Sequence, residues 1–368
     1  MARLEAPAKQ KTVPIIDLGL PEEEAATQIR EACTGSGFFY VSNHGVSESL
    51  VDDTFEQQRE LFHLPIAEKM AMLQNENNRG YTPFQEETLD PVHQTHGDTK
   101  EGFYFGREVA ADSPESKKPL HGPNQWPNPQ LMPRYREVTW QYYEALYGLG
   151  MRLLRLLALS LGLPAPYFAP MFDRPMVTLR PLHYSGEVSD PGAGVFGAGA
   201  HTDYGMLTIL ATDDTPGLQI WTGPDLTSGS APNSSNGASG GGREGSSAGD
   251  EGTTVAAAGG RWCDVEPIPG TFIINLGDML ERWTNGRYRS TLHRVLNTTG
   301  RERYSIAFFF EPNFEAEVAV LPVCCGPDDP PRYPPTTAGQ HLLDRYAATH
   351  AGYHGPVKQG HEKQQHLQ

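Results

Sequence analysis

The run TFIINLGDMLERWTNGRYRSTLHRVLNTTGRERYSIAFFFEP, residues 271–312, decides the fold class of this chain. It holds three short segments rich in β-branched and aromatic residues, and Gly, Asn and Thr separate them, which is typical of β-strands. With three similar segments upstream, the predicted strands are 177–184, 206–212, 217–221, 271–276, 290–297 and 303–310. We predict no helix between these strands, and many strands in succession indicate a sandwich or barrel rather than a βαβ sheet.

Helices are predicted on both sides of this β-rich part. Residues 1–130 form a mixed α/β segment, with strands predicted at 13–19 and 37–46, each beside a helix. Residues 131–320 combine a long helix with the β-rich core, and residues 321–368 form a C-terminal helix and tail. Helices are predicted at 21–35, 47–63, 134–161 and 337–350. Apolar residues recur at helical spacing in these ranges, and Gly or Pro marks helix ends. The fold class is therefore mainly β with flanking helices.

Composition excludes several functional classes. The chain has 368 residues and a formal charge of −16, with no dense basic patch, which disfavours nucleic-acid binding and a nucleic-acid demethylase. No stretch approaches the ~18 apolar residues of a membrane span, and the N-terminus lacks the apolar region of a secretory signal. Only four cysteines occur, and none forms a CxxC pair. We expect a reduced, cytoplasmic protein that acts on a small molecule, without a membrane or nucleic-acid partner.

One stretch inside the β-rich part has a different composition. Residues 227–260 are mostly Gly, Ser and Ala, with a single large aliphatic residue, Val255. Such a segment cannot bury enough apolar surface to offset its ordering entropy. We predict a disordered surface insertion without a chemical role.

The residues that carry chemistry lie on the predicted strands. His201 and Asp203 are two apart, so in extended chain both side chains point to one face. A second histidine from a neighbouring strand, His293, would complete two imidazoles and one carboxylate on one side of a metal ion. That arrangement leaves three coordination positions open, as non-haem Fe(II) oxygenases require. Arg303 and Ser305 follow on the last predicted strand and share a face.

Each of these motifs alone is weak evidence for a metal site, but their combination resembles a known family. The segments HTDYGMLTIL, GLQIW, INLGDMLERWTNGRYRSTLHRV and RYSIAFFFEP resemble the isopenicillin N synthase-like branch of the 2-oxoglutarate/Fe(II)-dependent dioxygenases. VPIIDLG and GFFYVSNHGV resemble the N-terminal segment of that branch, and KEGFYFG and GPNQWP resemble its microbial small-molecule oxygenases, thymine dioxygenase-like proteins among them. The resemblance spans residues 13–314 apart from the insertion.

The resemblance implies a double-stranded β-helix (jelly-roll) core and a set of site residues. His201, Asp203 and His293 match the iron ligands, and Arg303 and Ser305 match the pair that binds the distal carboxylate of 2-oxoglutarate. Tyr184 matches a tyrosine that helps to bind the same co-substrate. The implied reaction consumes Fe(II)-activated O₂ and 2-oxoglutarate, with ascorbate supportive in vitro, and most often hydroxylates a small molecule with release of succinate and CO₂.

Two other functions remain open from sequence. An oxidase similar to isopenicillin N synthase would use iron and O₂ without 2-oxoglutarate, and Arg303 would then hold the carboxylate of the substrate. A non-catalytic binding protein of the same fold is the other alternative. Desaturation and ring closure are variants of hydroxylation.

Other residues allow two interpretations. His44 is interpreted as a turn residue rather than a ligand. His93 and His96 form an HxxH pair that could bind zinc, although no second pair lies nearby in sequence. The aromatic residues at 103–105 either line a substrate opening or pack in the core. Phe309 shares the face of Arg303 and is a candidate cavity wall, with core packing as the alternative.

Overall fold

The computed structural model describes residues 13–223 and 260–349. Within these ranges the strands are β1 (Ile15–Asp17), β2 (Phe38–Ser42), β3 (Gly80–Thr82), β4 (Lys100–Gly106), β5 (Thr178–Tyr184), β6 (Ala198–His201), β7 (Leu207–Thr212), β8 (Leu218–Thr222), β9 (Arg261–Asp264), β10 (Phe272–Leu276), β11 (His293–Val295), β12 (Arg303–Phe310), β13 (Glu317–Val318) and β14 (Thr336–Thr337). The helices are α1 (Glu22–Thr34), α2 (Glu48–Phe62), α3 (Ile66–Met70), α4 (Tyr135–Ser160), α5 (Asp278–Trp283) and α6 (Ala338–Thr349). None of the helices in the described part of the chain is long and apolar enough to span a membrane.

Two sheets face each other and form the β core. The larger has the order β1-β2-β10-β7-β12-β5-β4-β3, and the smaller has the order β6-β11-β8-β9. Strands of the N-terminal segment thus flank the core strands in one sheet. The fold class, mainly β with flanking helices around a jelly-roll core, is confirmed, and the division of the chain at residues 130 and 320 stays a prediction.

The two faces of the larger sheet have different partners. Its outer face packs against the helices in one large apolar cluster, in which Ile274 and Phe308 are fully buried. Its inner face contributes Phe38 and Tyr184 to a second cluster, shared with Ile220 of the smaller sheet. Since residues alternate between the two faces of a strand, every second residue of the larger sheet points into the space between the sheets. That space holds the polar residues described below.

Helix α4 shows why the flanking elements form as predicted. Its buried residues recur at three and four positions along 26 residues, which gives one apolar face toward the sheet. The helix ends where Gly162 adopts a left-handed φ of +75° and the Leu163 amide donates to the carbonyl of Ala158. The prediction of a helix at 134–161 is confirmed by Tyr135–Ser160.

Two predictions about the β-rich part are wrong. The predicted strand at 290–297 is reduced to three residues, His293–Val295. The Ser290 amide and hydroxyl bond instead to side chains of α5, and the Asn297 side chain closes a turn by accepting from the amides of Thr299 and Gly300. The second error concerns α5, a short helix between β10 and β11 where no helix is predicted. Its buried Met279, Leu280 and Trp283 follow helical spacing.

The predicted insertion lies, except for Gly260, outside the described residues, but its two ends are in place. Strands β8 and β9 pair from Gln219↔Asp264 to Thr222↔Arg261, and a Cβ on Gly223 would lie 2.5 Å from the Cα of Gly260. The chain therefore leaves and re-enters the sheet at neighbouring positions.

Deleting residues 227–260 and joining the ends with a short glycine linker is expected to leave the melting temperature and turnover nearly unchanged. Loop-closure free energy changes by only ~0.6 kcal/mol for each doubling of loop length, and the strand ends already lie side by side. Differential scanning fluorimetry and succinate formation measure the two quantities. A folded deletion variant that loses most of its activity would show that the segment acts on the active site.

Candidate active site

A cluster of two histidines and one aspartate lies between the two sheets. His201 ends β6 and His293 begins β11, and these two residues pair directly across the smaller sheet. Asp203 follows His201 by two residues, and its Oδ1 lies 3.8 Å from Nε2 of His201 and 3.7 Å from Nε2 of His293. One potential ligand atom of each residue lies within 4.8 Å of the others. The structure brings together the three residues singled out from sequence.

Hydrogen bonds orient each of these three side chains. Nδ1 of His201 lies 2.8 Å from the carbonyl of Gly199, and Nδ1 of His293 lies 2.9 Å from the carbonyl of Thr291. Because a carbonyl only accepts, Nδ1 carries the proton in both rings and Nε2 keeps its lone pair. The Oδ2 atom of Asp203 accepts from the Thr208 hydroxyl and the Asn275 amide. Two imidazole nitrogens and Oδ1 of Asp203 therefore face one point.

The charge state of the cluster suits a divalent cation. Burial lowers the pKa of His201, and the neighbouring His293 lowers it further, so the ring is neutral at pH 7. Burial opposes ionisation of Asp203, but His293, His201 and the two hydrogen bonds to Oδ2 outweigh it and hold its pKa below the usual value. The cluster thus offers the neutral imidazole of His201 and the carboxylate of Asp203 in the protonation states that a metal ion requires, with Nε2 of His293 as the third donor.

The helix that sequence analysis missed holds the loop that carries Asp203. The Asp278 amide, at the start of α5, donates to the carbonyl of Asp203, and the Met279 amide donates to that of Gly205. The backbone at Gly277 lies so close to that of Gly205 that a side chain does not fit, since a Cβ on Gly277 would lie 2.3 Å from the carbonyl oxygen of Gly205. The LGDML segment could have indicated this, because a Gly-Asp pair before apolar residues is a possible helix start.

Arg303 is a buried cation with free donors on the inner face of β12. It is 2% exposed, pairs with Tyr184 across β12 and β5, and its guanidinium lies 4.8 Å from the centre of the Tyr184 ring. Its Nε and Nη1 atoms find no hydrogen-bond acceptor among the described residues. Ser305, two residues along, shares the same inner face. A planar guanidinium with free donors is a binding site for a carboxylate.

A cavity opens beside His201 and Asp203. It is partly open to solvent, and its walls combine apolar and polar side chains, as those of small-molecule sites do. Phe309 is among its walls, so the interpretation as a cavity wall is confirmed. Of the aromatic residues at 103–105, Tyr104 lines the cavity, whereas Phe103 and Phe105 stack at 4.5 Å in the apolar core. Alternation along β4 explains this division.

Glu311 also lines the cavity, and sequence analysis did not single it out. Its side chain is buried without a cationic partner among the described residues, and Oε2 accepts from the Met206 amide at 2.9 Å. Burial raises the pKa of Glu311 to about 8. The position directly after a strand that carries Arg303 was the signal available in the sequence.

Replacing Glu311 by Gln is expected to raise the melting temperature of the metal-free protein above pH 8 and to change it little near pH 5. A carboxyl whose pKa is higher in the folded than in the unfolded protein costs stability as the pH rises from the ordinary glutamate range through about 8. Glutamine removes that cost. Melting curves at pH 5, 7 and 9 measure it, with the exposed Glu317→Gln as the control. Equal melting temperatures at pH 9 would contradict the expectation.

Among the residues that the structure describes, no other histidine joins a comparable cluster. His93 is exposed and bonds to Asp90, and within residues 13–223 and 260–349 it has no further potential ligands around it. His44 lies in a turn, where its ring accepts from the Val46 amide and packs 4.5 Å from the ring of Phe272.

Comparisons with known proteins agree with this geometry. A model of the "non-haem dioxygenase in morphine synthesis N-terminal" family matches residues 13–129, and a model of the "2OG-Fe(II) oxygenase superfamily" matches residues 246–312. The 2-oxoglutarate-Fe(II) type oxidoreductase hxnY of Emericella nidulans is 34% identical over 335 residues, which cover 89% of this chain and 85% of that protein. The chain belongs to the 2-oxoglutarate/Fe(II)-dependent oxygenase superfamily. The resemblance predicted from sequence is confirmed.

The oxygenase is also similar to other relatives and to solved structures, whose names differ widely. Kihadalactone A synthase LFS of Citrus sinensis is 34% identical, with 90% of each chain covered. A full-length Neurospora crassa protein, solved in complex with alpha-KG and thymine, superposes with a TM-score of 0.72 at 27% identity. The superposition covers 91% of the oxygenase and 96% of the Neurospora crassa protein. The oxygenase is an Fe(II)- and 2-oxoglutarate-dependent dioxygenase, and O₂ is its implied co-substrate.

The residues of this chain fit these cofactors. Two imidazoles and a carboxylate on one side of a metal leave the other side open, which is the donor set of non-haem Fe(II) oxygenases. The free Nε and Nη1 donors of Arg303 fit the carboxylate of a co-substrate.

Proposed function

We propose that His201, Asp203 and His293 hold Fe(II), and that Arg303 binds the distal carboxylate of 2-oxoglutarate with the help of Ser305 and Tyr184. The proposal rests above all on Arg303, a guanidinium that is 2% exposed and has no acceptor for Nε and Nη1 among the described residues. Buried donors without acceptors cost free energy, and an anionic co-substrate removes that cost. The position of Arg303 on the inner face supports an anion bound between the sheets.

The substrate in this proposal is a small organic molecule bound in the cavity beside the iron ligands. When bound, Fe(II) and 2-oxoglutarate supply the oxidising power drawn from O₂, with release of succinate and CO₂, and hydroxylation is the proposed outcome. The protein orients the substrate and limits water at the reacting centre. Aromatic walls such as Phe309 and Tyr104 provide flat contact surface, while Arg180 and Glu311 provide polar contacts.

The test is succinate formation with Fe(II), ascorbate and 2-oxoglutarate against a panel of small molecules. Thymine belongs in the panel because the Neurospora crassa structure contains it. We expect succinate to rise above the substrate-free background with at least one compound. If no compound raises succinate and calorimetry detects no 2-oxoglutarate binding to the iron-loaded protein, the assigned roles are wrong.

A cytoplasmic location and the absence of nucleic-acid and membrane partners complete the proposal. Its support is the formal charge of −16 and the four free cysteines, three of them buried. Fractionation of cells that produce the full chain measures the location.

A further inference from the structure

Four charged side chains form a buried network on the inner side of the β core, which we name the buried charge network: Asp98, Lys100, Glu87 and Arg180. The Lys100 ammonium contacts Oδ2 of Asp98 and lies 3.0 Å from Oε2 of Glu87, and Oε1 of Glu87 pairs with the guanidinium of Arg180. Asp98 is 0% exposed and Arg180, the most exposed of the four, is 8% exposed. Carboxylates and cations alternate, so the network is neutral as a whole.

One end of the network reaches the proposed iron ligand His201. Oδ1 of Asp98 accepts from the Gly199 amide at 2.9 Å, and the carbonyl of Gly199 lies 2.8 Å from Nδ1 of His201. Gln94 donates to the same Oδ1 at 2.8 Å, and a Cβ on Gly199 would lie 2.2 Å from Oε1 of Gln94. The residue whose carbonyl orients the His201 ring is therefore fixed on its amide side by Asp98.

The other end of the network lines the cavity. Glu87 and Arg180 are both among the cavity walls. Tyr104 joins them, because its hydroxyl donates to Oε1 of Glu87 at 3.0 Å and its ring lies 4.3 Å below the Arg180 guanidinium. A molecule that enters the cavity thus meets the same network that ends at Gly199 and His201.

Stability alone is a poor reason for such a network. Removing charges from water costs several kcal/mol for each ion, and well-packed apolar residues of the same volume often stabilise a protein as much or more. By contrast, groups that hydrogen-bond directly to a metal-ligating histidine fix its ring orientation, and changing them costs about 10- to 100-fold in metal affinity. The direct chain of bonds from Asp98 to His201 fits this second role.

We propose that Asp98 and Lys100 are positioning residues for His201, and that Glu87 and Arg180 connect this ligand to the substrate cavity. The proposal deepens the proposed function and rests on it, since His201 is taken as an iron ligand. Lys100 holds the Asp98 carboxylate in place, Asp98 holds Gly199, and Gly199 fixes the ring.

The test is a Co(II) titration of the full chain, followed by the visible spectrum of bound Co(II). Asp98→Ala removes the bond that holds Gly199, the residue that orients His201, so it is expected to weaken Co(II) binding about 10-fold, the low end for a group bonded directly to a ligand, and to change the spectrum. Asp98→Asn keeps an acceptor for Gly199 and should recover most of the affinity. Should Asp98→Ala fail to fold, Lys100→Met gives the same test, because it leaves Asp98 without its cation. Arg180→Met is expected to alter the Co(II) spectrum, although Arg180 itself does not contact the three proposed metal ligands.

The matched control is Lys69→Met. Lys69 pairs with Glu101 at 2.7 Å, and Glu101 lies on β4 next to Lys100 but points to the opposite face of the strand. Loss of this buried ion pair should lower the melting temperature without changing Co(II) affinity. The proposal is overturned if Asp98→Ala or Lys100→Met melts at a lower temperature but binds Co(II) with the wild-type constant and spectrum. A wild-type protein that does not bind Co(II) more tightly than His201→Ala would instead overturn the proposed function.

Discussion

Replacing Asp203 by Ala is expected to abolish Fe(II) binding and substrate-dependent succinate formation while the protein stays folded. The change removes the single anionic donor of the cluster and leaves two imidazoles, which hold a divalent cation poorly. Its structural cost is limited, because only the Thr208 hydroxyl and the Asn275 amide lose their acceptor. An unsatisfied buried donor costs ~1–3 kcal/mol.

Iron content after anaerobic loading and desalting measures the first effect, and succinate measures the second. His201→Ala should behave in the same way. The double variant His93→Ala/His96→Ala is the control: it removes two histidines from outside the cluster and should keep full iron content, which also tests whether that pair binds metal. An Asp203→Ala protein that retains iron and substantial turnover would show that the metal lies elsewhere.

Replacing Arg303 by Lys is expected to raise the KM for 2-oxoglutarate about 10- to 100-fold with a far smaller change in the KM for the substrate. Lysine keeps the positive charge but loses the two parallel donors that meet a carboxylate. Hydrogen bonds to charged groups contribute roughly 1.5–3 kcal/mol, and about 1.4 kcal/mol corresponds to a factor of ten. Initial rates at varied 2-oxoglutarate and fixed substrate give the constant.

Arg301→Lys is the matched control, because Arg301 lies two residues earlier and is exposed. It should leave both constants unchanged. If Arg303→Lys instead raises the KM for the substrate and 2-oxoglutarate is not consumed, Arg303 holds the substrate carboxylate, as in an oxidase similar to isopenicillin N synthase.

Much of the fold was predictable because its strands and helices carry local signals in the sequence. The alternation along Arg303–Phe310 is visible in the sequence, and the structure confirms that strand with the predicted bounds. The two-residue spacing of His201 and Asp203 likewise places both side chains on one side of the chain. The pairing of His201 with His293 needs the sheet order, and only the family resemblance supplied it before the structure.

The rest depends on contacts between distant residues. Strand β4 is buried along its whole length, so its sequence shows no alternation and its two faces cannot be told apart. Glu87 and Lys100 each look like surface residues in the sequence, because buried charges are rare unless paired, and their pairing appears only in three dimensions. Glu311 gains its role from burial, and its position directly after the strand of Arg303 is the one signal that the sequence offers.

The strand order of the larger sheet also bears on how the chain is synthesised. Strand β2 pairs with β1 on one side and with β10 on the other, and β10 begins at Phe272, more than 200 residues after β2. At ~5–20 residues per second on the ribosome, this partner arrives about 10–50 s later. Until then the aromatic Phe38–Ser42 strand presents an unpaired edge, which invites association with other chains. Production of this oxygenase should therefore depend on chaperones that cover this edge during synthesis, and slower translation should increase its association with other chains.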